Sequence, residues 1–335
     1  MRKSSIIASA PTRIDLAGGT LDIWPVSMLV HGALTVNLAI DLPARVRITP
    51  RRDDRVRIVS TDRNQRTTRR LPLEMNSIDG NLALLLRLVA SFSPRRGLTL
   101  VTRAEAPAGA GLGGSSTLGV AVAAALARFC GERMGQRRLL TRVMNLEAVE
   151  LGVPTGNQDY LAALHGGLSA YHHEPDGTRR EAIKLPPGLG QRLVLGYTGQ
   201  PRRSGFSNWE MFRRFIEGQR VTVRRMESIA RIARELRDAL HAGDLETTGR
   251  LIGEEGRLRN SLAPAVATEL LLHAGRAARR AGALGVKVCG AGGGGCMVAF
   301  AGEGRRETVA RAMAGCGVEI LEARIARQGV RASNA

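Results

Sequence analysis

The stretch PAGAGLGGSS, residues 107–116, stands directly before an alanine-rich apolar run, TLGVAVAAALARFC, residues 117–130. Four of its ten residues are glycine, which tolerates positive φ and lets backbone N–H groups approach an anion closely. The apolar run predicts a helix, whose first turn adds unpaired N–H donors and the positive end of the helix dipole. The stretch therefore predicts a phosphate-binding loop at the mouth of a helix.

Two well-known types of phosphate loop do not fit this stretch. No lysine follows the glycines, as the GxxxxGK[ST] pattern requires, and the flanking elements do not form the βαβ unit of a Rossmann fingerprint. Ser115 and Ser116 are candidates for capping the helix, for donating to phosphate oxygens, or for binding Mg²⁺. On these residues alone, a flexible turn followed by an ordinary helix cap also stays open.

Strand-like and helical runs alternate irregularly on either side of the loop. This mixture predicts an α+β fold rather than a regular βαβ series. The turn-forming residues EPDGTRR, 174–180, indicate a passage between two halves, which we place at residues 1–180 and 181–330. The main predicted strands lie at 5–11, 33–40, 44–50, 55–60, 166–173 and 192–199, and the main predicted helices at 81–92, 116–130, 136–150 and within 206–281.

The chain of 335 residues has a formal net charge of +19. Its basic residues are spread along the sequence and are not interleaved with aromatic residues, so we interpret them as solvated surface charge and expect no nucleic-acid partner. No apolar run reaches the roughly 18 residues of a membrane span, and the first residues lack the apolar centre of a signal peptide. We therefore expect a cytoplasmic protein without a membrane partner. The cysteines form no CxxC pair, so a zinc site has little support.

Three other segments carry polar or glycine-rich patterns. PTRIDLAGGTLD, residues 11–22, follows the first predicted strand and gathers an arginine and two aspartates around a glycine turn. GVPTGNQDYLAALHGG, residues 152–167, sets Asp159 in a polar turn twelve residues after Glu147. VCGAGGGGCMVAF, residues 288–300, is a second glycine tract between two predicted strands.

The order of PTRIDLAGG, PAGAGLGGSS, PTGNQD and CGAGGGGC along the chain resembles the GHMP kinases, named for galactokinase, homoserine kinase, mevalonate kinase and phosphomevalonate kinase. Within that family, LAGGTLDIWP and LGVPTGNQDYLAALHGG are most similar to bacterial heptose 7-phosphate kinases and fucokinase-like sugar kinases. The resemblance covers nearly the whole chain. It implies a two-domain GHMP kinase fold, with an N-terminal domain of the ribosomal-protein type and a ferredoxin-like C-terminal domain.

The resemblance also implies ATP and Mg²⁺ as cofactors. Ser116 or Ser115 together with Glu147 would hold Mg²⁺, since hard oxygen ligands suit that ion. Glu147 is favoured over Glu150 because it stands five residues before Gly152, as the acidic ligand of the family does. The residues expected to hold the ATP phosphates are Pro107, Gly109, Gly111, Leu112, Gly113, Gly114, Ser115 and Ser116.

Asp159 is the predicted catalytic base, because a carboxylate beside the accepting hydroxyl can take its proton or orient it. Arg13 would stabilise that carboxylate and neutralise the transferring phosphoryl group. We expect Asp15 to pair with an arginine and hold its turn. The residues expected to bind the acceptor are Asp22, Gly19, Gly156 and Arg202.

These inferences predict an ATP-dependent kinase that phosphorylates a sugar or sugar phosphate, as heptose 7-phosphate kinases do. A free-sugar 1-kinase, a mevalonate-like acceptor and a non-catalytic nucleotide- or anion-binding protein remain as alternatives. The small-molecule acceptor is the expected partner. The sequence leaves open which hydroxyl accepts and whether the chain forms a homodimer.

Overall fold

Two β-sheets with helices packed against them are seen in a computed structural model, which describes residues 4–200, 204–262, 268–290 and 293–335. The strands are β1 (Ile6–Ala17), β2 (Leu34–Pro50), β3 (Arg55–Ser60), β4 (Gln65–Arg70), β5 (Leu98–Ala104), β6 (Leu168–Glu174), β7 (Gly177–Ile183), β8 (Leu193–Tyr197), β9 (Ala283–Val288), β10 (Cys296–Ala301), β11 (Glu319–Leu321) and β12 (Arg331–Asn334). The helices are α1 (Val26–Leu29), α2 (Ala83–Phe92), α3 (Gly114–Cys130), α4 (Gln136–Leu151), α5 (Gln158–His165), α6 (Leu189–Arg192), α7 (Ser204–Ile216), α8 (Arg220–Ala242), α9 (Leu245–Leu262), α10 (Glu269–Arg280) and α11 (Arg306–Ala314).

The first sheet has the strand order β12-β1-β2-β5-β3-β4, and β6 and β7 extend it from β2. Strand β2 is 17 residues long, so its first half pairs with β6 and its second half with β5. We expected two strands there, at 33–40 and 44–50. One continuous strand forms instead, because a register shift against β1 between Ala10 and Thr12 accommodates Pro43 as a bulge.

The helix that follows the glycine loop is the central helix of the first half. Helix α3 contacts β1 and β2 on one side and α2, α4 and α5 on the others. It carries no charged residue before Arg128, and a helix that is apolar on nearly all sides is stable only when it is buried. The start of α3 is therefore a fixed point, and the preceding loop is held between this helix and β5.

The second sheet has the order β11-β8-β10-β9, and all its neighbours are antiparallel. Counted within this half, the order is 4-1-3-2, with helices after the first and third strands, which is the ferredoxin-like pattern. The α+β prediction is thus confirmed. The division predicted at residue 180 falls inside β7, so we propose to place it between Ile183 and Leu193.

One hydrophobic cluster contains residues of both halves. Buried side chains of β2 and β6, such as Val36 and Ala170, belong to the same cluster as Ile232 of α8 and Phe300 of β10. Strand β12, close to the end of the chain, also returns to pair with β1. The geometry between the halves is therefore set by packing over a broad area.

Strand pairing gathers part of the basic charge that the sequence spreads out. Alternate residues of a strand share a face, and the register of the paired strands puts eight exposed arginines on one face of the first sheet, which differs from the scattered distribution we expected. They are Arg45, Arg47, Arg55, Arg57, Arg66, Arg70, Arg103 and Arg331. Across the described ranges, no helix is both long and apolar enough to span a bilayer.

Candidate active site

The glycine-rich stretch forms the loop between β5 and α3. Gly109, Gly111 and Gly113 have φ of 69°, 81° and 74°, a region of backbone space that favours glycine. Helix α3 begins at Gly114, and no side chain in the described part of the chain caps its first turn, so neither serine acts as the predicted cap. The first N–H groups of the helix are therefore available to an anion, with the positive end of the helix dipole behind them.

A hydrogen-bonded group of two hydroxyls and one carboxylate lies beside this loop. Ser116 Oγ donates to Glu147 Oε2 at 2.8 Å, and Tyr160 OH donates to the same oxygen at 2.6 Å. Glu147 is 4% exposed. Burial raises the pKa of Glu147, and the hydroxyl donors work against that rise. We did not predict from the sequence that Tyr160 belongs to the site. Its position directly after Asp159 is the one feature of the sequence that could have indicated this.

The donor set formed by Ser116 and Glu147 fits Mg²⁺. This ion is usually held by one or two carboxylates, waters and substrate phosphates rather than by a complete protein cage. Accordingly, the described residues contain no cluster of three or more histidine, cysteine or acidic side chains that could hold a metal by themselves. Ser116 and Glu147 are therefore the residues that would hold the ion, next to the phosphates.

Arg13 and Asp159 form the second polar group of the site. Arg13 Nε and Nη2 donate to Asp159 Oδ1 at 2.8 and 2.5 Å, and Nη1 donates to the carbonyl oxygen of Gly111 at 2.7 Å. Although burial opposes the charge of Arg13, the Asp159 carboxylate raises the pKa of Arg13. A Cβ on Gly113 would lie only 3.0 Å from the carboxyl carbon of Asp159. Asp159 thus lies directly against the glycine loop.

Asp22 forms a third polar group with Gln158, the residue before Asp159. Its carboxylate accepts the backbone N–H of Gln158 at 3.0 Å and approaches Gln158 Nε2 at 3.4 Å. Burial raises the pKa of Asp22 to about 6. Gly156 packs so closely on this carboxylate that a Cβ there would overlap it. Sequence reasoning missed Gln158, because a polar residue beside a predicted base carries no separate signal.

A cluster of buried charges lies beneath the turn at residues 18–22. Lys287 Nζ is 3.1 Å from Asp15 Oδ1 and 2.9 Å from Glu255 Oε2, contacts that are ion pairs rather than well-aligned hydrogen bonds. Arg259 pairs with Glu255 at 2.9 Å and approaches Asp15 at 3.9 Å. Burial raises the pKa of Asp15, but the two cations outweigh it and hold that pKa below its usual range. Gly19 accepts a hydrogen bond from Arg259 through its carbonyl oxygen.

The second glycine tract packs directly on the phosphate loop. Cys296 N–H donates to the carbonyl oxygen of Ala110 at 2.7 Å. A Cβ on Gly295 would lie 2.7 Å from the carbonyl oxygens of Gly109 and Ala110. The glycine at position 295 therefore allows a close backbone approach, which joins the C-terminal half to the loop.

One cavity collects these groups, because the phosphate loop, β1 and the start of α5 border the same space. Its lining also includes apolar side chains, such as Leu82 and Leu85 of the α2 region and Ala106 just before the loop. Arg202 is outside the described residues. The other predicted site residues all line the cavity: Arg13, Gly19, Asp22, Pro107, Gly109, Gly111, Leu112, Gly113, Gly114, Ser115, Ser116, Glu147, Gly156 and Asp159.

Comparisons with known proteins agree with this arrangement. Family models for the N-terminal and C-terminal domains of GHMP kinases match residues 81–167 and 236–319. A mevalonate kinase of Thermococcus onnurineus is 31% identical over 240 residues, which cover 70% of this chain and 69% of that protein. The chain belongs to the GHMP kinase family. The D-glycero-alpha-D-manno-heptose 7-phosphate kinase of Campylobacter jejuni is 27% identical over 319 residues, 92% of this GHMP kinase and 93% of that protein.

Solved structures of the family share the fold of this GHMP kinase. A D-glycero-D-manno-heptose 1-phosphate kinase from Bacteroides thetaiotaomicron superposes with a TM-score of 0.80 at 24% identity, covering 98% of this chain and 99% of that one. A galactokinase from Lactococcus lactis has a TM-score of 0.80 at 19% identity, with coverage of 100% and 96%. The predicted fold, the predicted class of ATP-dependent small-molecule kinase and the predicted cofactors ATP and Mg²⁺ are therefore confirmed.

Proposed function

We propose that this GHMP kinase transfers the γ-phosphoryl group of ATP to a hydroxyl of a sugar or sugar phosphate. One observation carries the proposal: a single cavity is lined by the phosphate loop, by an oxygen pair suited to Mg²⁺, and by an Arg13–Asp159 pair. Phosphoryl transfer depends on positioning and charge neutralisation more than on covalent chemistry. The three groups supply these two requirements.

The nucleotide would lie along the loop with its base at the apolar end of the cavity. Leu82, Leu85 and Ala106 are apolar residues of the cavity lining and would offer apolar surface to a flat ring. The phosphates would follow the backbone N–H groups of the loop to the start of α3. Ser116 and Glu147 would hold Mg²⁺ there, and the ion when bound neutralises phosphate charge.

Asp159 would act on the acceptor. As the new O–P bond forms and the bond to the leaving ADP breaks, the hydroxyl proton passes to a carboxylate oxygen of Asp159. Arg13 holds one oxygen of that carboxylate and carries a charge that favours the anionic transition state. Because Arg13 also binds the loop through Gly111, it fixes the distance between the base and the phosphates.

The chemistry of the acceptor end favours a polyol over mevalonate. Asp22 is buried, and its carboxylate receives N–H donors from Gln158. The amide oxygen of Gln158 is itself buried without a partner among the described residues. Both groups can accept hydrogen bonds from hydroxyls, of which a sugar offers several, whereas mevalonate has two.

The proposal is tested by measuring ADP release with heptose 7-phosphate, fucose, galactose, mannose and mevalonate, each with Mg²⁺ and with a chelator. We expect turnover with at least one sugar or sugar phosphate, and its loss on chelation. Turnover with mevalonate alone would contradict the acceptor class. ATP binding without turnover on any acceptor would favour a non-catalytic protein, and activity that a chelator leaves unchanged would contradict the metal site.

A further inference from the structure

We propose that Arg259 is a positioning residue for acceptor binding, which holds the turn at residues 18–22 from the C-terminal half of the molecule. The inference rests on the proposed function in one respect, namely that this turn faces the acceptor. The buried charges around Arg259 take no part in the chemistry derived above. Their arrangement nevertheless connects both ends of the active site.

Arg259 acts on the turn through its guanidinium group. Nη2 donates to the carbonyl oxygen of Gly19 at 2.5 Å, and Nη1 donates to Thr20 Oγ1 at 3.2 Å. Thr20 has φ of 76°, a conformation that is unfavourable for a β-branched residue. The turn therefore has a conformation that its own sequence does not favour, and the arginine supplies hydrogen bonds that hold it.

The strained residue is directly linked to the acceptor end of the cavity. Leu21 N–H donates to the carbonyl oxygen of Gly18, and Ile23 N–H donates to that of Thr20. These two bonds bracket Asp22, whose carboxylate is buried against Gly156. A change in the backbone of Thr20 consequently moves Asp22, even though Arg259 and Asp22 make no direct hydrogen bond among the described contacts.

Arg259 is in turn held in place by three other buried charges, Glu255, Lys287 and Asp15, with which it forms a set of zero net charge. Glu255, one helical turn earlier in α9, accepts Arg259 Nε at 3.1 Å and Nη2 at 2.9 Å. Lys287 of β9 bridges Glu255 to Asp15 of β1. All four side chains are at most 2% exposed, and loss of one partner in such a set leaves an uncompensated buried charge.

Lys287 also brings the cluster close to the phosphate loop. It lies two residues before Cys289, whose N–H donates to the carbonyl oxygen of Cys296. Cys296 N–H then donates to the carbonyl oxygen of Ala110 in the loop. The acceptor turn and the phosphate loop are thus attached to one rigid part of the C-terminal half, so that their separation is preset before either substrate binds.

The variant Arg259→Lys tests this role, since lysine keeps the charge opposite Glu255 and loses the fork that reaches Gly19 and Thr20. We expect the acceptor KM to rise by about tenfold or more, because charge-assisted hydrogen bonds to the turn are lost, while the ATP KM changes by less than about twofold. The second variant adds Thr20→Gly to Arg259→Lys. Glycine adopts positive φ without strain, so the double variant should recover most of the lost acceptor affinity.

A purely structural role for Arg259 gives different results. Both KM values would then change together, and Thr20→Gly would restore neither, which would overturn the proposal. If Arg259→Lys does not fold, Thr20→Val alone decides: it removes Oγ1 but keeps the strain, so it should raise the acceptor KM, and an unchanged KM overturns the proposal. Arg231→Lys is the matched control, because Arg231, like Arg259, lies within ion-pair distance of two carboxylates but is exposed.

Hydrogen exchange separates this proposal from the proposed function. The amides of residues 18–23 should exchange faster in Arg259→Lys than in the wild type, and Thr20→Gly should reverse the change, whether or not any tested acceptor is phosphorylated. Faster exchange with no turnover on any sugar would contradict the proposed function alone. Unchanged exchange in this segment would overturn the role of Arg259.

Discussion

Asp159 Oδ1 accepts hydrogen bonds from both Nε and Nη2 of Arg13, although Arg13 and Asp159 are 146 positions apart in the chain. The same guanidinium also donates to the carbonyl oxygen of Gly111. One buried arginine of β1 therefore fixes the start of α5 relative to the phosphate loop. This relationship holds the Asp159 carboxylate against the loop, as its proposed role as the base requires.

Replacement of Asp159 by asparagine tests the base. The amide keeps the shape of the side chain and can still accept from Arg13, but it cannot take a proton. We expect kcat to fall by about 10²- to 10⁴-fold, while the affinity for an ATP analogue, measured by calorimetry, stays nearly unchanged. The control is Asp53→Asn, because Asp53 accepts Nε and Nη2 of Arg51 at 2.7 and 2.6 Å at the surface. A near-normal kcat for Asp159→Asn would remove this residue from the mechanism.

The residues of the phosphate loop and of the two polar turns could be found in the sequence, for a physical reason. Clusters of glycine with charged or hydroxyl residues interrupt the regular apolar pattern that core helices and strands show in the sequence. Arg13, Ser116 and Asp159 stand out in this way, whereas Glu147 is favoured by the family resemblance, and the fold brings all four to one cavity. Their separate roles stay predictions until the variants are measured.

The partners of those residues could not be found in the same way. Glu255 and Arg259 are four residues apart on a helix, a spacing that is typical of solvated ion pairs, yet both are buried. Lys287 lies in a strand whose sequence does not distinguish it from other predicted strands. Only the packing of α9 and β9 against β1 shows that these charges neutralise one another, and no local pattern contains that information.

Replacement of Glu147 by glutamine tests the metal site. Glutamine can still accept from Ser116 and Tyr160, so the fold should be kept, but a neutral amide is a poor ligand for Mg²⁺. We expect kcat to fall by about a hundredfold or more and the Mg²⁺ concentration for half-maximal activity to rise. Glu132→Gln, which removes a partner of Arg142 outside the cavity, should leave both values unchanged. An unaltered Mg²⁺ dependence in Glu147→Gln would rule out this ligand.

Tyr160→Phe gives a graded version of the same test. The tyrosine hydroxyl stabilises the charged form of Glu147 against the effect of burial, so its removal should raise the pKa of Glu147 further. Because the charged form binds the metal, the activity of the variant should begin to fall at a higher pH than that of the wild type as the solution is acidified. Identical pH–rate profiles would show that Glu147 is not the titrating ligand.

The buried carboxyl of Asp22 should make stability depend on pH. Its pKa is raised to about 6 by burial, whereas an unfolded aspartate titrates near 4. The folded state therefore binds the proton more tightly, and the free energy of unfolding should fall by on the order of 2–3 kcal/mol as pH rises from about 4 to 6. Asparagine does not titrate, so Asp22→Asn lacks this pH-dependent contribution. The Tm of the variant minus that of the wild type should therefore increase between pH 4 and pH 7. A Tm difference that stays constant over this range would contradict the raised pKa.

The contact between the second glycine tract and the phosphate loop leads to a last prediction. Gly295 has φ of 78°, and a Cβ there would lie 2.7 Å from the carbonyl oxygens of Gly109 and Ala110. Gly304 has φ of 67° and no atom near its Cβ position, so it is a matched control for the backbone strain. Gly304→Ala should lose about 1–2 kcal/mol of stability from its positive φ, and Gly295→Ala should lose at least as much.

Only the Gly295→Ala variant should also move the loop. Because the atoms in its way belong to the backbone, the loop or the tract must shift, and misplacement of about 1 Å at an active site costs about a hundredfold in rate. We expect kcat/KM for ATP to fall by ten- to a hundredfold in Gly295→Ala and to stay normal in Gly304→Ala, as measured by steady-state kinetics beside thermal melts. Equal kinetics in the two variants would show that the tract does not set the position of the phosphate loop.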